Sequence, residues 1–407
     1  MQKAYIERTL EAVVVRAVAE FPAVVLTGPR QSGKTTLLQH LLQRTHRYVS
    51  LEVPEVRRSA SLDPRGFMDQ HPPPVILDEV QNAPHLLSHV KERIDSRRNE
   101  HGQYILTGSQ NLLMMEQVTQ TLAGRAAILK LMPFSRRELQ GRPDLPVPWE
   151  SGQPISASSG FTGGRLWDRL IRGWYPEVAL DAGRDVSLWH DSYVQTYLER
   201  DVRSVRHVGD LALFQSFIAS LALRSGQLLN LTDIARDLGL AVNTIKQWLS
   251  VLEATFLVVR VRPYFVNVGK RLVKRPKVYF TDTGTLCHLL HEKDAGQAAS
   301  GAQAGRIFET AVVSEVVKTF AHAGRQPRIY FWRTSNGNEV DVVIDLGARL
   351  IPVEAKASTT PQPRMAQGIE RFRGDYGDRV APGYVVHPGD VRLPIMPGVT
   401  ALPFGAF

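Results

Sequence analysis

The sequence predicts an α/β chain in three parts: a parallel-sheet core, a helical middle and a mixed helix–strand end. Three observations carry that expectation. From Phe21 to about Arg137, short apolar strands alternate with helical stretches, the pattern of a parallel sheet covered by helices. Residues 228–258 read as two helices about a Gly239 turn, then a strand. Residues 338–358, NEVDVVIDLGARLIPVEAKAS, hold two apolar, strand-like runs around a Leu-Gly-Ala turn. The expected boundaries are 1–140 for the core with an N-terminal helix, 141–165 for a linker, 166–295 for the helical middle and 296–407 for the end. The linker GRPDLPVPWESGQPISASSGFTGGR is rich in Pro, Gly and Ser, and glycine and alanine around 295–305 mark the second joint.

At 407 residues the chain can bury two or three cores. With 43% hydrophobic and 22% charged residues it has the composition of a globular protein, not of a disordered one. A formal net charge of +9 favours a polyanionic partner. One cysteine, Cys287, excludes an internal disulfide framework and a thiolate zinc cluster, and fits a reducing cytoplasm. No uninterrupted apolar run reaches the ~18 residues a membrane span needs. The N-terminal MQKAYIERTLEAVVVRAV lacks a signal-peptide core and reads as an amphipathic helix. The expectation is a cytoplasmic protein without a membrane partner.

The stretch AVVLTGPRQSGKTTLL, residues 23–38, is a strand, a glycine-bearing loop and a helix start. It fits G-x-x-x-x-G-K-[ST] as Gly28, Gly33, Lys34 and Thr35, so Gly28, Pro29, Arg30, Gln31, Ser32, Gly33, Lys34, Thr35 and Thr36 are the expected phosphate cradle. Glycines let backbone N–H groups curl around phosphate oxygens, and the helix N-terminus favours the negative charge. Lys34 supplies a point charge near the β- and γ-phosphates, and Thr35 a hydroxyl for Mg²⁺. ATP and Mg²⁺ are therefore the expected cofactors. A second strand, PPPVILDEVQ, delivers Asp78 and Glu79 at its end, as a Walker B element does: Asp78 toward Mg²⁺, Glu79 toward the attacking water. A third, QYILTGSQ, ends in small polar residues. It resembles the sensor-1 strand of AAA-type ATPases, with Thr107 and Ser109 as candidates for the γ-phosphate. Arg125 stands before the strand AAILKL, where AAA-type proteins carry an arginine finger that acts on a neighbour's nucleotide, so the expected active form is a homo-oligomer.

Taken together, GPRQSGKTTL, LDEVQ, LTGSQ, the LAGR before LMPFS, WYPE at 174–177, YLERDV at 197–202, NVGKRLVKRPKVYFTDTG at 267–284, and EVDVVI with VEAKAS resemble a bacterial and archaeal group of AAA-type ATPases. In that group a P-loop core precedes a C-terminal half long catalogued as a domain of unknown function. The resemblance spans nearly the whole chain and implies ATP hydrolysis with Mg²⁺ and a winged-helix module.

In LLNLTDIARDLGLAVNTIKQWLSVLEATFLV, Thr232 with Asp233 is expected to cap the first helix, and Ile234, Ala235, Leu238, Leu240, Ile245, Leu249 and Leu252 recur at core spacing. That leaves Asn243, Thr244, Lys246 and Gln247 exposed near the start of the second helix, where a recognition helix meets DNA. Winged helices also serve as protein-interaction modules. Between Thr255 and Phe280 stand Arg260, Arg262, Lys270, Arg271, Lys274, Arg275 and Lys277 with no Asp or Glu, a footprint for a phosphate backbone. Seven phosphate contacts would give a log–log salt slope of about −6.

At the C-terminal end, RIFETAVVSEVVKTF is a helix bearing Glu309, followed by two strands. Strand side chains alternate faces, so Glu354 and Lys356 point the same way and Asp341 lies beside them across the turn. This resembles the restriction-endonuclease-like PD-(D/E)xK superfamily, with Val340 in place of the motif's proline. The resemblance implies that Asp341 and Glu354 bind Mg²⁺, that Lys356 orients or deprotonates water, and that Glu309 completes the metal site. The expected function is a DNA-binding AAA-type ATPase that remodels or translocates duplex or branched DNA. The alternatives are an ATP-gated metal nuclease in defence or repair, and a slow ATP-dependent switch with a protein partner not yet named.

Overall fold

The computed structural model describes residues 5–108, 120–151, 159–197, 210–265 and 275–407. Strands β1 (Ala23–Thr27), β2 (Arg47–Ser50), β3 (Val75–Asp78), β4 (Tyr104–Gly108) and β5 (Ala126–Lys130) form one sheet in the order β2-β3-β4-β1-β5, with every pairing parallel. Strands β1, β3 and β4 are buried along their whole length, which is why they read as continuous apolar runs rather than alternating ones. Helices cover both faces. On one, the helix Lys34–Leu42 packs with the N-terminal helix Glu11–Glu20, whose buried face is Leu10, Val14 and Ala17 at helical spacing. On the other, the helices Pro54–Leu62, Pro64–Gln70 and Leu86–Ser96 enclose a second apolar layer.

The expected linker is more than a tether among its described residues. It contains the short helix Pro148–Ser151, and Val147, Trp149 and Phe161 are buried in the large core shared by the middle and C-terminal parts. The middle is helical, with Gly163–Arg172, Val186–Tyr197 and Leu211–Ala222 leading into the pair Leu231–Asp237 and Val242–Ala254. The first helix of that pair starts earlier than expected. Its cap is Asn230, whose side-chain oxygen accepts from Thr232 N–H at 3.2 Å, so Thr232 lies inside the helix.

Strands β6 (Val258–Pro263) and β7 (Lys277–Phe280) pair antiparallel, and β6 then adds parallel to β8 (Ile329–Arg333). With β9 (Glu339–Asp345), β10 (Leu350–Ala355), β11 (Gly383–His387), β12 (Leu393–Met396) and β13 (Val399–Pro403) they complete an eight-stranded mixed sheet, β12-β13-β11-β10-β9-β8-β6-β7. The strands of the middle part and those of the end are thus one sheet. The helix Ala304–His322 is apolar nearly all round because it is buried nearly all round: it packs against β7 and β10 of this sheet and β5 of the first. Among the described residues no helix is long and apolar enough to cross a membrane.

Candidate functional site

The loop between β1 and the helix Lys34–Leu42 takes the shape that its glycines permit. Gly28 has φ +147°, and a Cβ there would lie 2.1 Å from the carbonyl oxygen of Leu131. Gly33 at the helix N-cap has φ +95°, in the left-handed region that favours glycine. Lys34 Nζ donates to the carbonyls of Gly28 at 3.0 Å and Pro29 at 2.9 Å, which holds the ammonium within the loop. A cavity of about 500 Å³ opens over it, lined by Arg30, Gln31, Lys34, Thr35, Thr36 and Glu79 from the core. Its far wall is Tyr193 and Thr196 of the helix Val186–Tyr197, a contribution from the middle part that no motif signals. A second cavity of about 660 Å³ shares Gln31, Tyr193 and Thr196 with the first and extends toward Trp189 and Asp185.

Asp78, at the end of β3, is 5% exposed and collects three hydroxyl donors. Thr35 Oγ1 donates at 3.2 Å and Tyr48 Oη at 2.5 Å, and Thr107 Oγ1 makes a third, short bond. Burial, then the neighbouring Asp78, pushes the Tyr48 phenol far up, so it stays a donor. Thr107 also accepts the Glu79 backbone N–H at 3.2 Å, so one hydroxyl bonds the Asp78 carboxylate and the Glu79 main chain. Glu79 has φ +55°, a left-handed backbone at a residue with a Cβ, and its carboxylate is bonded by Gln81 Nε2. A carboxylate beside hydroxyl oxygens is the donor set a hard divalent cation takes, so Thr35 and Asp78 fit Mg²⁺. Ser109 lies outside the described residues. Arg125 stands just before β5, and its backbone carbonyl accepts from Ala23 N–H, at the sheet end opposite the phosphate loop. Its guanidinium forks onto Asp95 at 2.7 and 3.0 Å.

The second constellation lies on β9 and β10. Their antiparallel register runs from Leu350↔Asp345 to Val353↔Val342, so Asp341 and Glu354 are the next pair. Both are buried, and Ala355 N–H donates to Asp341 Oδ2 at 2.9 Å. Lys356 Nζ reaches Glu354 at 2.7 Å and Asp341 at 3.7 Å. Burial and the facing Asp341 push Glu354 well above the carboxylate range. Burial acts the same way on Asp341, but Lys356 and Lys277 outweigh it and hold Asp341 down.

Two of the expected site residues are bonded within the chain here. Lys277 is not free to meet DNA: it is 3% exposed and sits between Glu309 at 2.8 Å and Glu339 at 2.5 Å. Glu309 is held by two donors of β7. Its carboxylate accepts from Lys277 and from Tyr279 Oη at 2.6 Å. Burial, then Asp341, raises it to about 7. Among the described residues no group of three or more His, Cys, Asp or Glu is arranged to hold a metal. A cavity of about 460 Å³ nevertheless opens here, lined by Lys277, Arg306, Glu309, Arg333, Glu339 and Asp341.

On the helix Val242–Ala254, Asn243, Lys246 and Gln247 are exposed and Thr244 half-buried, while Trp248 on the opposite face packs on Phe214 and Phe217. Arg262 and Arg275 are exposed. Arg260 is half occupied by Glu253 at 2.5 Å, an acid just outside the basic stretch. Lys270, Arg271 and Lys274 lie outside the described residues.

Three family models match in succession: an AAA domain over residues 20–140, a domain of unknown function (DUF8612) over 164–295, and another (DUF4143) over 304–407. Uncharacterized proteins of Mycobacterium bovis and Mycobacterium tuberculosis are each 28% identical over 404 residues, 97% of this chain and 83% of theirs. Among solved structures, a Walker-type ATPase of Pyrococcus abyssi is similar at 14% identity and TM-score 0.44, covering 69% of this chain and 94% of its own. A RuvB variant of Thermotoga maritima reaches 17% and 0.26, covering 62% and 86%. At such scores neither lends this chain a function. Residues 20–140 thus match an AAA domain and carry the loop geometry of a P-loop ATPase core, and residues 304–407 match DUF4143.

Proposed function

We propose that the chain is a Mg²⁺-dependent ATP hydrolase that engages DNA through its middle part and uses turnover to move or remodel duplex or branched DNA. The observation that carries hydrolysis is the Thr107 hydroxyl, which bonds the Asp78 carboxylate and the Glu79 backbone N–H at once and so fixes the main chain from which Glu79 reaches the cavity. Bound Mg²⁺ would draw charge from the β- and γ-phosphate oxygens. Lys34 neutralises the same phosphates from inside the loop. Glu79, on the cavity wall, orients the water that attacks the γ-phosphorus and accepts its proton as the bond to the departing ADP oxygen breaks. The supports for DNA are the exposed Asn243, Lys246 and Gln247 with Arg260, Arg262 and Arg275 beyond them. Arg125 lies at the sheet end away from its own loop, and as a finger for a neighbouring subunit it would exchange its fork on Asp95 for that subunit's nucleotide; an oligomer is part of the reading.

The test is ATP turnover with and without linear and branched duplexes at low salt. DNA should raise it, and Lys34→Ala should abolish it; turnover indifferent to every DNA would remove the DNA half. The paired Asp341 and Glu354 with Lys356 support a second reading, a metal-dependent nuclease. Asp341 and Glu354 side by side, with Lys356 Nζ within 2.7 Å of Glu354 and 3.7 Å of Asp341, are the groups that would hold a divalent cation and its water. Mg²⁺- or Mn²⁺-dependent cleavage lost in both Asp341→Ala and Lys356→Ala would establish it. Cleavage surviving in both would refute it.

A further inference from the structure

We infer that Arg8, from the N-terminal segment outside every recognised motif, is a positioning residue for the phosphate loop, because it fixes the direction of the Gly33 N–H. The inference rests on the nucleotide-binding reading of that loop and adds a residue to it.

Arg8 is 4% exposed, and all three guanidinium nitrogens are engaged. Nε donates to Glu138 at 3.1 Å, Nη2 to the Met132 carbonyl at 2.7 Å and Nη1 to the Ser32 carbonyl at 3.0 Å. Beneath it lies the Phe134 ring, 4.5 Å from the guanidinium carbon. Ser32 is the loop residue before Gly33, and the peptide joining them is planar and trans. In such a peptide the C=O and the following N–H point in opposite directions. Holding the Ser32 oxygen against Arg8 therefore turns the Gly33 N–H away from Arg8. Gly33 lines the cavity above the loop, so that N–H faces the space where phosphate oxygens belong. Without the clamp the peptide is free to rotate, since Gly33 at φ +95° has none of the steric restraint a side chain would add.

The other side of the clamp is equally fixed. Glu138 is fully buried and also accepts from Thr9 N–H at 2.9 Å and Ser135 N–H at 2.7 Å. Met132 and Phe134 follow β5, so Arg8 ties the loop after β1 to the segment after its neighbouring strand. A lysine's three N–H donors radiate from a single nitrogen and do not span the acceptors that three separate guanidinium nitrogens reach here, so the site suits a planar fork.

The experiment is titration of the full chain with a fluorescent ATP analogue and Mg²⁺, with steady-state turnover and a nucleotide-free melt alongside. The variants are Arg8→Lys and the pair Arg8→Met with Glu138→Gln. The pair removes both buried charges together, keeps the volume and leaves a side-chain oxygen for Thr9 and Ser135, so it protects the fold if the single change does not. Both are expected to weaken nucleotide affinity, and to raise KM, by about tenfold or more, with kcat at saturation changed by less than about threefold. A merely structural Arg8 would lower the melt and leave affinity within twofold, and that result overturns the inference. Lys34→Ala separates the two claims. A wild type that binds no nucleotide sinks the loop reading itself, whereas a wild type that binds beside Arg8 variants that bind equally well sinks only Arg8.

Discussion

His322 ends the helix Ala304–His322 against the underside of the P-loop core, with Nε2 3.3 Å from the Met132 carbonyl and Nδ1 3.4 Å from Glu138. Burial pushes its imidazole down from 6.5 to about 4, against the pull of Glu138. The folded chain therefore refuses a proton that the unfolded chain accepts at 6.5. Stability from this group is complete above pH 6.5 and is lost as pH falls from 6.5 toward 4. At 1.36 kcal/mol per pH unit the full span is worth about 3 kcal/mol, and at pH 5 about 2 kcal/mol is already gone. Glu138 acts in a lower window. Burial raises it, but Arg8 and His322 bring it down to about 2, so its stability is lost only below pH 4.5. His322→Gln keeps an amide for Met132 and removes the titration. Urea unfolding at pH 7 and pH 5 should show the wild type losing about 2 kcal/mol more than His322→Gln. Parallel losses in the two proteins would refute the assignment.

Thr107→Val removes the hydroxyl that bonds the Asp78 carboxylate and the Glu79 backbone N–H; ATP turnover should fall about ten- to a hundredfold while nucleotide affinity changes less than about threefold. Gly28→Ala would drive a Cβ to 2.1 Å from a backbone oxygen, so nucleotide binding and the melt should both collapse. Lys277→Met should leave any log–log salt slope of DNA binding unchanged yet destabilise the chain by about 3–5 kcal/mol, because Glu309 and Glu339 lose a buried partner. Lys246→Ala, on the exposed helix face, should reduce that slope by about 1 with little effect on unfolding.

Contiguity decided what could be read before the structure. Gly28, Gly33, Lys34 and Thr35 act within a few residues, and the strand period of two put Glu354 and Lys356 on one face, so both groups were visible in the chain itself. Antiparallel pairing across a short turn then placed Asp341 beside them. Tyr48, Arg8, Tyr193 and Thr196 were not visible, because each reaches its partners only through tertiary packing and none stands in a spaced motif. The basic stretch misled at Lys277 for a related reason. Charge counting treats every lysine as solvated, whereas β7 turns this one toward Glu309 on a helix that starts beyond the expected joint.

Hydrolysis at the Walker pair is decided by steady-state ATP turnover of the wild type and Glu79→Gln. Wild-type turnover should depend on Mg²⁺. It should fall about a hundredfold or more in Glu79→Gln, with ATP affinity retained, because Glu79 acts on the water and not on the nucleotide. Equal turnover in the two proteins, or wild-type turnover indifferent to Mg²⁺, would contradict hydrolysis at that pair.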